Sequence, residues 1–387
     1  MHSLCTLTPM KLMLQEFPEA ASEKSLTRGL YIHIPFCKSK CNYCDFYSGN
    51  FSEDMQKKYV DKLCEEIEKW GRLNTCPIDT IYFGGGTPSR LTSSQLEQIF
   101  TTIYSTFIVA DDAEITLEIN PGDDFHFLTT AAQLSVNRIS VGIQSANEDE
   151  LKMLGRRHSF DDAVKTIDFI RKVGIANISA DLMIGLPNST LTSLDKSISK
   201  ILSLEIPHIS SYILKIEENT PFYKSGIVLP DDDIVAEQYL YMSQRFESYG
   251  YEHYEISNFA KPNMQSRHNN KYWLCEEYIG IGPSAHSFFE GKRMYYPQSI
   301  ESFLENPSII EDGLGGDKFE YTMLALRLAR GLVFKKYAAR YGNLPKEFFD
   351  TAKKLSDYIN ITNHSVSLND NGMLLSNTII NLLTEVL

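Results

Sequence analysis

The stretch His33-Ile34-Pro35-Phe36-Cys37-Lys38-Ser39-Lys40-Cys41-Asn42-Tyr43-Cys44-Asp45-Phe46 carries three cysteines at C-x3-C-x2-C spacing, just after an apolar run. That run predicts a buried strand, and the short spacings place the three thiols on one loop, where they can share a metal centre. Zinc sites and four-cysteine clusters each need a fourth protein ligand, and the sequence offers none nearby. Three of the chain's seven cysteines fall within these eight positions, so three ordinary buried cysteines are the weaker alternative. We therefore predict metal ligation by Cys37, Cys41 and Cys44, with one coordination position open.

Apolar strands and amphipathic helices alternate on the carboxyl side of this loop. The pattern predicts strands at residues 30–35, 80–83, 114–119, 138–144, 177–184 and 209–215. It predicts helices at residues 52–72, 93–104, 127–134, 160–173 and 191–204, with Ser52 and Ser93 at two helix starts. Six such units indicate an α/β fold with a parallel sheet, and they suit an open, partial (β/α)6 barrel. A doubly wound sheet is the competing topology.

The pattern changes after Pro230, which suggests further parts of the chain. A helix at 231–249 and an alternating strand at 251–257 begin an α+β region, and the glycine-rich residues 313–316 form a predicted linker. Three helices, a hairpin around residues 369–372 and a last helix then resemble a small winged-helix domain. The predicted divisions are an N-terminal extension (1–27), the partial barrel (28–225), the α+β extension (226–312) and the C-terminal domain (313–387).

Composition narrows the class of protein. The chain has 43% hydrophobic and 22% charged residues, as soluble globular proteins do, and its net charge of −13 argues against nucleic acid as a partner. An odd number of cysteines fits a reducing compartment better than a disulfide framework. We find neither a secretory signal nor an apolar run of membrane-spanning length, so we expect a cytoplasmic protein.

Polar or glycine-rich residues occur at or near the carboxyl end of the first five predicted strands. Beyond the cysteine loop they are Gly84-Gly85-Gly86-Thr87-Pro88, Glu118, Gln144 and Asp181. Each alone could be structural, but parallel α/β folds carry their chemistry at this end of the sheet, so together they predict a site. The glycine run lacks the Gly-Lys-Ser/Thr ending of a nucleotide triphosphate loop and suits close approach by a zwitterionic ligand.

These motifs together resemble the radical S-adenosylmethionine (SAM) superfamily. The resemblance implies that Cys37, Cys41 and Cys44 hold a [4Fe–4S] cluster and that SAM chelates its open iron. Within the superfamily, the chain is most similar to the branch of oxygen-independent coproporphyrinogen III oxidases and HemW-type haem chaperones, over residues 30–287. Carried over position by position, the residues that line the SAM site would be Tyr31, Tyr43, Gly85, Gly86, Thr87, Glu118, Gln144, Arg156 and Asp181. Arg156 would meet the SAM carboxylate, and Gln144 and Asp181 the ribose hydroxyls.

Two sequence features distinguish the oxidases of this branch from its haem chaperones. The cysteine pattern typical of the oxidases is C-x3-C-x2-C-x-C, whereas this chain has Phe46 at the position of the fourth cysteine. The run His268-Asn269-Asn270-Lys271-Tyr272-Trp273 resembles the H-N-x-x-Y-W motif of the haem chaperones. That resemblance implies haem contact by His268, Tyr272 and Trp273, with Arg267 and Lys271 near the propionates.

We therefore expect a haem chaperone that carries a [4Fe–4S] cluster with exchangeable SAM and delivers haem to an unidentified acceptor protein, respiratory or membrane-associated. It has no catalytic residue of its own in this interpretation. The alternative is a coproporphyrinogen III oxidase that decarboxylates its substrate by radical chemistry. Radical modification of tRNA is weaker, because the chain lacks an additional cysteine cluster and a basic surface.

Overall fold

The computed structural model describes residues 26–387, so nearly all of the predicted N-terminal extension lies outside the described residues. Six strands begin the fold. They are β1 (Arg28–Ile34), β2 (Ile78–Gly85), β3 (Val109–Ile119), β4 (Arg138–Gln144), β5 (Asn177–Ile184) and β6 (His208–Ile213). Neighbours in the chain pair in parallel from β1 to β6. A doubly wound sheet would reverse its strand order partway, so the partial-barrel prediction is confirmed and the competing topology is wrong.

The sheet continues past both edges of this parallel part instead of closing on itself. Six further strands take part: β7 (Glu252–Glu255), β8 (Asn258–Ala260), β9 (Tyr278–Ile281), β10 (His286–Phe289), β11 (Lys292–Tyr295) and β12 (Ile310–Leu314). Strand β9 pairs with β1 in parallel, and β8 pairs with β6 in antiparallel fashion. The order across all twelve strands is β12-β11-β10-β9-β1-β2-β3-β4-β5-β6-β8-β7. The predicted α+β extension therefore supplies both edges of the sheet.

Helices connect the parallel strands. They are α1 (Glu53–Leu73), α2 (Ser93–Thr106), α3 (Phe125–Gln133), α4 (Glu148–Met153), α5 (Phe160–Lys172) and α6 (Leu191–Leu202). Right-handed crossovers between successive neighbouring strands place their helices on one face of the sheet. Ser52 caps α1 as predicted, by accepting from the backbone N–H of Met55. The cap of α2 is Thr92, one residue before the predicted Ser93, in a reciprocal pair with Gln95.

The two faces of the parallel strands differ in chemistry, and this difference positions the site. Leu30, Ile32 and Ile34 of β1 are fully buried, and Phe83 of β2 stacks on Phe100 of α2. Side chains alternate between the faces of a strand, so the intervening residues lie on the opposite, concave face. That face carries Tyr31, Tyr82, Thr116, Glu118, Arg138, Ser140, Asp181 and Tyr212. The helix face is thus an apolar core, while the concave face is polar.

The remaining helices follow β6. They are α7 (Pro221–Ser225), α8 (Asp232–Ser248), α9 (Arg267–Trp273), α10 (Ile300–Glu305), α11 (Lys318–Ala325), α12 (Phe334–Tyr341), α13 (Lys346–Lys354), α14 (Asp370–Leu374) and α15 (Ser376–Thr384). Strands β13 (Leu332–Val333), β14 (Ile359–Ile361) and β15 (Ser365–Leu368) form a small antiparallel sheet in the order β13-β15-β14. Over the described residues, no helix is both long and apolar enough to cross a membrane.

Two C-terminal predictions need correction. The hairpin joins β14 to β15 through residues 362–364, because the Thr362 backbone pairs with Ser365, whereas Asn369 caps α14. An Asn-Asp-Asn-Gly run serves a helix start as well as a turn, so sequence alone misplaced it. The predicted linker at 313–316 is half strand, since β12 runs to Leu314. The winged-helix likeness and the predicted domain limits stay predictions.

Candidate cofactor site at the carboxyl end of the barrel

The cysteine loop leaves the end of β1 and is held by backbone hydrogen bonds. The N–H of Cys37 donates to Gly49 O at 2.8 Å, and the N–H of Gly49 donates to Pro35 O at 2.9 Å. Cys37, Cys41 and Cys44 are free and half-buried. The loop therefore presents three thiols at the carboxyl end of the barrel, as the spacing predicted.

The three thiols lie on one loop, which is what ligands of a shared metal centre require. Among the residues the structure describes, no three His, Cys, Asp or Glu side chains are placed to hold a single metal ion. A four-iron cluster takes each thiolate on a different iron, so its ligands do not meet at one point. Burial raises the pKa of the Cys44 thiol to about 11, with Lys40 acting in the opposite sense. A bound metal would supply the charge that deprotonates it.

The glycine run after β2 packs directly against the start of the cysteine loop. The N–H of Gly86 donates to Ile34 O and that of Thr87 to Phe36 O, each at 2.8 Å. A Cβ on Gly86 would lie 2.7 Å from Ile34 O, so only glycine permits this approach. The Thr87 hydroxyl lies 3.6 Å from the Cys37 sulfur. The glycine run thus borders the predicted cluster position.

Arg156 bridges the cysteine loop and the ends of two strands. One terminal nitrogen donates to the Cys41 sulfur at 3.4 Å, and the other donates to Gly142 O at 2.6 Å and to the Asn120 side chain. Its Nε is buried and has no partner within the described part of the chain. An unpaired guanidinium N–H near the thiols is the donor that a carboxylate of a cluster-bound ligand needs. The residues present therefore fit SAM.

Glu118 accepts hydrogen bonds from two directions on the concave face. The Tyr82 hydroxyl donates to one oxygen at 2.7 Å, and the N–H of Gly85 donates to the other at 3.2 Å. Burial raises the pKa of the Glu118 carboxyl, and the Tyr82 bond opposes this rise. Tyr82 was not predicted as a site residue. Its position two residues before Gly84 on β2 is the signal that could have found it.

Tyr31 is held by a histidine that the sequence did not mark for the site. The His33 ring Nε2 donates to Tyr47 O at 2.8 Å, since a carbonyl only accepts. Its Nδ1 is then the acceptor for the Tyr31 hydroxyl at 3.1 Å. Burial lowers the pKa of His33 to about 4, so the ring is neutral near pH 7. A Cβ on Gly85, where φ is +104°, would overlap this ring.

The far side of the site consists of Asp181, Gln144 and Tyr43. The Ser140 hydroxyl donates to Asp181 at 3.2 Å, and burial, reinforced by the charge of Glu118, raises the pKa of Asp181 to about 7. Gln144 ends β4 with φ of +71°, a left-handed conformation that is costly for a residue other than glycine and typical of functional sites. Tyr43 packs on a small apolar cluster of Leu154, Met183, Leu186, Leu214 and Phe222.

His268 lies next to this group, on the side of the amino ends of the strands, and its ring centroid is 5.2 Å from that of Tyr82. Its ring lies against Gly29 and Thr80, near the amino ends of β1 and β2. Thr80 and Gly84 are four residues apart, which is roughly 13 Å of strand. Tyr272 and Trp273 lie on the same helix, α9, and are half-buried. The predicted SAM residues are thus brought together, while the predicted haem residues lie toward the amino ends of the strands and meet that set through Tyr82, the donor to Glu118.

His268 is not free to ligate iron in this arrangement. It is fully buried, its Nδ1 lies 2.8 Å from the Thr80 hydroxyl, and its Nε2 lies 2.8 Å from the Tyr272 hydroxyl. Burial lowers the pKa of His268 to about 3. The two cations that the resemblance places near the propionates, Arg267 and Lys271, also have partners in the ligand-free protein, and their contact with haem stays a prediction. Lys271 is buried in an ion pair with Asp79 at 2.8 Å, and Arg267 donates to Asp112 O.

Comparison with known proteins agrees with this architecture. The sequence pattern of the radical SAM superfamily matches residues 31–201. The haem chaperone HemW of Bacillus subtilis is 34% identical over 374 residues, which cover 91% of this chain and 98% of that protein. HemW of Escherichia coli is 34% identical over 362 residues, 87% of this chain and 94% of that protein. The structure of E. coli coproporphyrinogen III oxidase superposes with a TM-score of 0.80 at 19% identity, covering 94% of this chain and 91% of that one. That superposition shows a shared fold.

Proposed function

This chain belongs to the HemW family of the radical SAM superfamily, and we propose that it is a haem chaperone, which binds haem and transfers it to an acceptor protein. The observation that carries the proposal is the match to HemW proteins along nearly the whole length of both chains. The pattern of the oxidases has a fourth cysteine where this chain has Phe46, and this difference supports a chaperone over an oxidase. Phe46 is 66% exposed beside the cysteine loop. The acceptor would be a respiratory or membrane-associated protein. The proposal includes a cytoplasmic location, which the free cysteines support.

In this proposal Cys37, Cys41 and Cys44 hold a [4Fe–4S] cluster whose fourth iron is open to SAM. Such a cluster, when bound and reduced, supplies an electron to SAM. The residues around the cluster would bind SAM and orient it. Thr87 and Arg156 flank the thiols, and the free Nε of Arg156 would take the SAM carboxylate.

The rest of the SAM molecule would lie along the concave face. Glu118 and the backbone of Gly85 and Gly86 would border it on one side, and Asp181 and Gln144 on the other. The carboxylate of Asp181 and the side-chain amide oxygen of Gln144 both accept from hydroxyls, so these residues suit the ribose. Tyr31 and Tyr43 would supply ring faces above and below the ligand. These roles rest on position and on donor chemistry.

The H-N-x-x-Y-W motif would act on haem through its aromatic residues. The Tyr272 and Trp273 rings are half-buried and could extend a face to a porphyrin, whereas His268 is committed to two hydrogen bonds. We assign His268 a positioning role: it fixes the Tyr272 hydroxyl and ties α9 to β2.

One anaerobic experiment tests the proposal. The reconstituted protein is incubated with SAM and dithionite, once with haem and once with coproporphyrinogen III, and products and bound pigment are separated by chromatography. The proposal predicts that haem stays bound and that coproporphyrinogen III is recovered unchanged. Formation of protoporphyrinogen without haem binding would replace the chaperone with the oxidase.

A further inference from the structure

Arg138 and Thr116 are neighbours inside the barrel, and neither belongs to the predicted SAM site. They face each other in the register of β4 and β3 and lie on the concave side. Arg138 is 2% exposed and Thr116 is fully buried. A guanidinium buried to this degree is among the largest polar groups in the interior, and it needs a partner.

Neither side chain is satisfied. Across residues 26–387, Arg138 Nε and the Thr116 hydroxyl are both buried without a hydrogen-bond partner. No carboxylate of these residues lies within ion-pair distance of Arg138, although it influences Glu118 and Asp181 from further away. An unpaired buried donor is destabilising, and a charged one is more so. Two adjacent ones therefore indicate a missing ligand.

The carboxylates on the two strands that flank β4 are already committed elsewhere. Glu114 accepts the backbone N–H groups of Arg267 and His268 at the start of α9. Glu118 accepts from Tyr82 and Gly85, and Asp181 accepts from Ser140. The two buried imidazoles beside this region, His208 and His268, have lowered pKa values because of burial and the Arg138 charge, so they are neutral. An anion is the partner that this set lacks.

Part of the concave face is accessible to solvent. Tyr212 on β6 belongs to this face and is 43% exposed, while Tyr31, Tyr82 and Asp181 are partly accessible. Three strands, β1, β2 and β6, thus each contribute a tyrosine to the concave face that also carries Arg138. A flat apolar molecule that carries carboxylates matches a face that combines these rings with a cation.

We propose that Arg138 and Thr116 form a carboxylate-binding site inside the barrel, and that it takes a propionate of the porphyrin. This assignment rests on the proposed haem function. SAM is the other source of a carboxylate, but Arg138 begins β4 whereas Gln144, at the cluster end, finishes it. Six residues of strand span roughly 20 Å, too far for a SAM carboxylate that chelates the cluster. Arg156 is the guanidinium placed for that carboxylate.

The test compares haem with haem dimethyl ester, whose propionates can no longer be ionised. Affinities of the full-length reconstituted protein are measured by anaerobic absorbance titration in the same detergent. We expect the unmodified protein to prefer haem by roughly 10- to 100-fold, the effect of a charge-assisted hydrogen bond. Arg138→Gln should bind both forms equally and should bind SAM as before. Arg72→Gln, at a 67% exposed side chain on α1, is the matched control and should keep the preference.

Further variants separate a binding role from a structural one. Thr116→Val keeps the shape and should reduce the preference by a smaller factor, about 3- to 10-fold. Arg138→Met should not lower the urea midpoint of the ligand-free protein, because it removes an unpaired charge from the interior. A large loss of stability would show that Arg138 is structural and would overturn the assignment.

The remaining outcomes also decide between the sources. Equal affinity of the unmodified protein for haem and its ester would overturn the propionate site while leaving haem binding intact. Weaker SAM binding by Arg138→Gln, with the ester preference unchanged, would assign the site to SAM and contradict the proposal. Failure of the unmodified protein to bind either form would overturn the proposed function, and the propionate assignment with it.

Discussion

The Nε2 atom of His268 lies 2.8 Å from the hydroxyl of Tyr272, four residues later on α9. The same ring bonds Thr80 through Nδ1, so one imidazole ties the helix to β2 and orients the tyrosine. In the ligand-free protein the histidine of the motif is buried and hydrogen-bonded through both ring nitrogens, and its contact with haem stays a prediction. Its contribution to haem binding would therefore come through the residues it holds in place.

The first prediction concerns the two hydrogen bonds of the His268 ring. His268→Ala leaves a cavity and two unpaired hydroxyls, so we expect the free energy of unfolding to fall by ~2–4 kcal/mol. Urea unfolding of the ligand-free protein measures it. His364→Ala, at an exposed position in the β14–β15 turn, should change it by less than about 0.5 kcal/mol. Unaltered stability of His268→Ala, together with lost haem binding, would restore His268 as a direct iron ligand.

A second prediction follows from the contact between the glycine run and the cysteine loop. In Gly86→Ala the new Cβ would meet backbone atoms of Ile34 and Phe36 within 3 Å, so the loop must shift. We expect less iron and acid-labile sulfide per chain after reconstitution. Gly174→Ala is the control, because a Cβ there would meet nothing within 4 Å and its φ of +94° strains a residue outside both the glycine run and the cysteine loop. Equal iron content in the two variants would contradict the role given to the glycine run.

The third prediction uses the pKa of Asp181. Burial raises it from 3.8 to about 7, so the folded state holds a proton that the unfolded chain releases in this interval. Stability should therefore decline as pH rises from about 4 to 7, and this decline should be shallower in Asp181→Asn. Glu118 contributes a slope of the same sign in both proteins, because its pKa is also raised.

Urea midpoints of the ligand-free proteins across this pH range provide the measurement. Asp168→Asn, at an exposed position on α5, serves as the control and should follow the unmodified protein. Parallel curves for Asp181→Asn and the unmodified protein would show that Asp181 is ionised throughout, as a permanently charged acceptor.

A fourth prediction addresses the metal ligands. Replacing Cys37, Cys41 or Cys44 with serine should abolish the cluster absorbance, since each thiolate is needed to hold it. Cys76→Ser is the matched control, at another half-buried free cysteine outside the loop, and should reconstitute normally. Retention of a full cluster in any of the three loop variants would remove that cysteine from the ligand set.

Much of the barrel was predictable because its signals are local. The predicted limits 138–144 and 177–184 are those of β4 and β5, since apolar alternation and flanking turns are written in adjacent residues. The cysteine loop and the strand-end residues were predictable for a related reason: successive parallel strands bring their carboxyl ends to one edge. Residue identity and strand order together were enough to predict which residues lie at this edge.

Other features depend on tertiary partners that periodicity does not reveal. His268 looks like a ligand in sequence, and only its packing against Thr80 and Tyr272 shows it to be satisfied. Arg138 looks like an ordinary strand residue, and only the absence of a partner within the described residues marks it. The Asn-Asp-Asn-Gly run was assigned to a turn because the same residues favour turns and helix caps.

The central claim is that this chain binds haem while carrying its cluster. An anaerobic absorbance titration of haem into the full-length, cluster-reconstituted protein, with SAM present, tests it most directly. We expect a saturable haem spectrum with the cluster absorbance retained, and coproporphyrinogen III should not compete. A linear, unsaturable response to haem, or displacement of haem by coproporphyrinogen III followed by its decarboxylation, would contradict it.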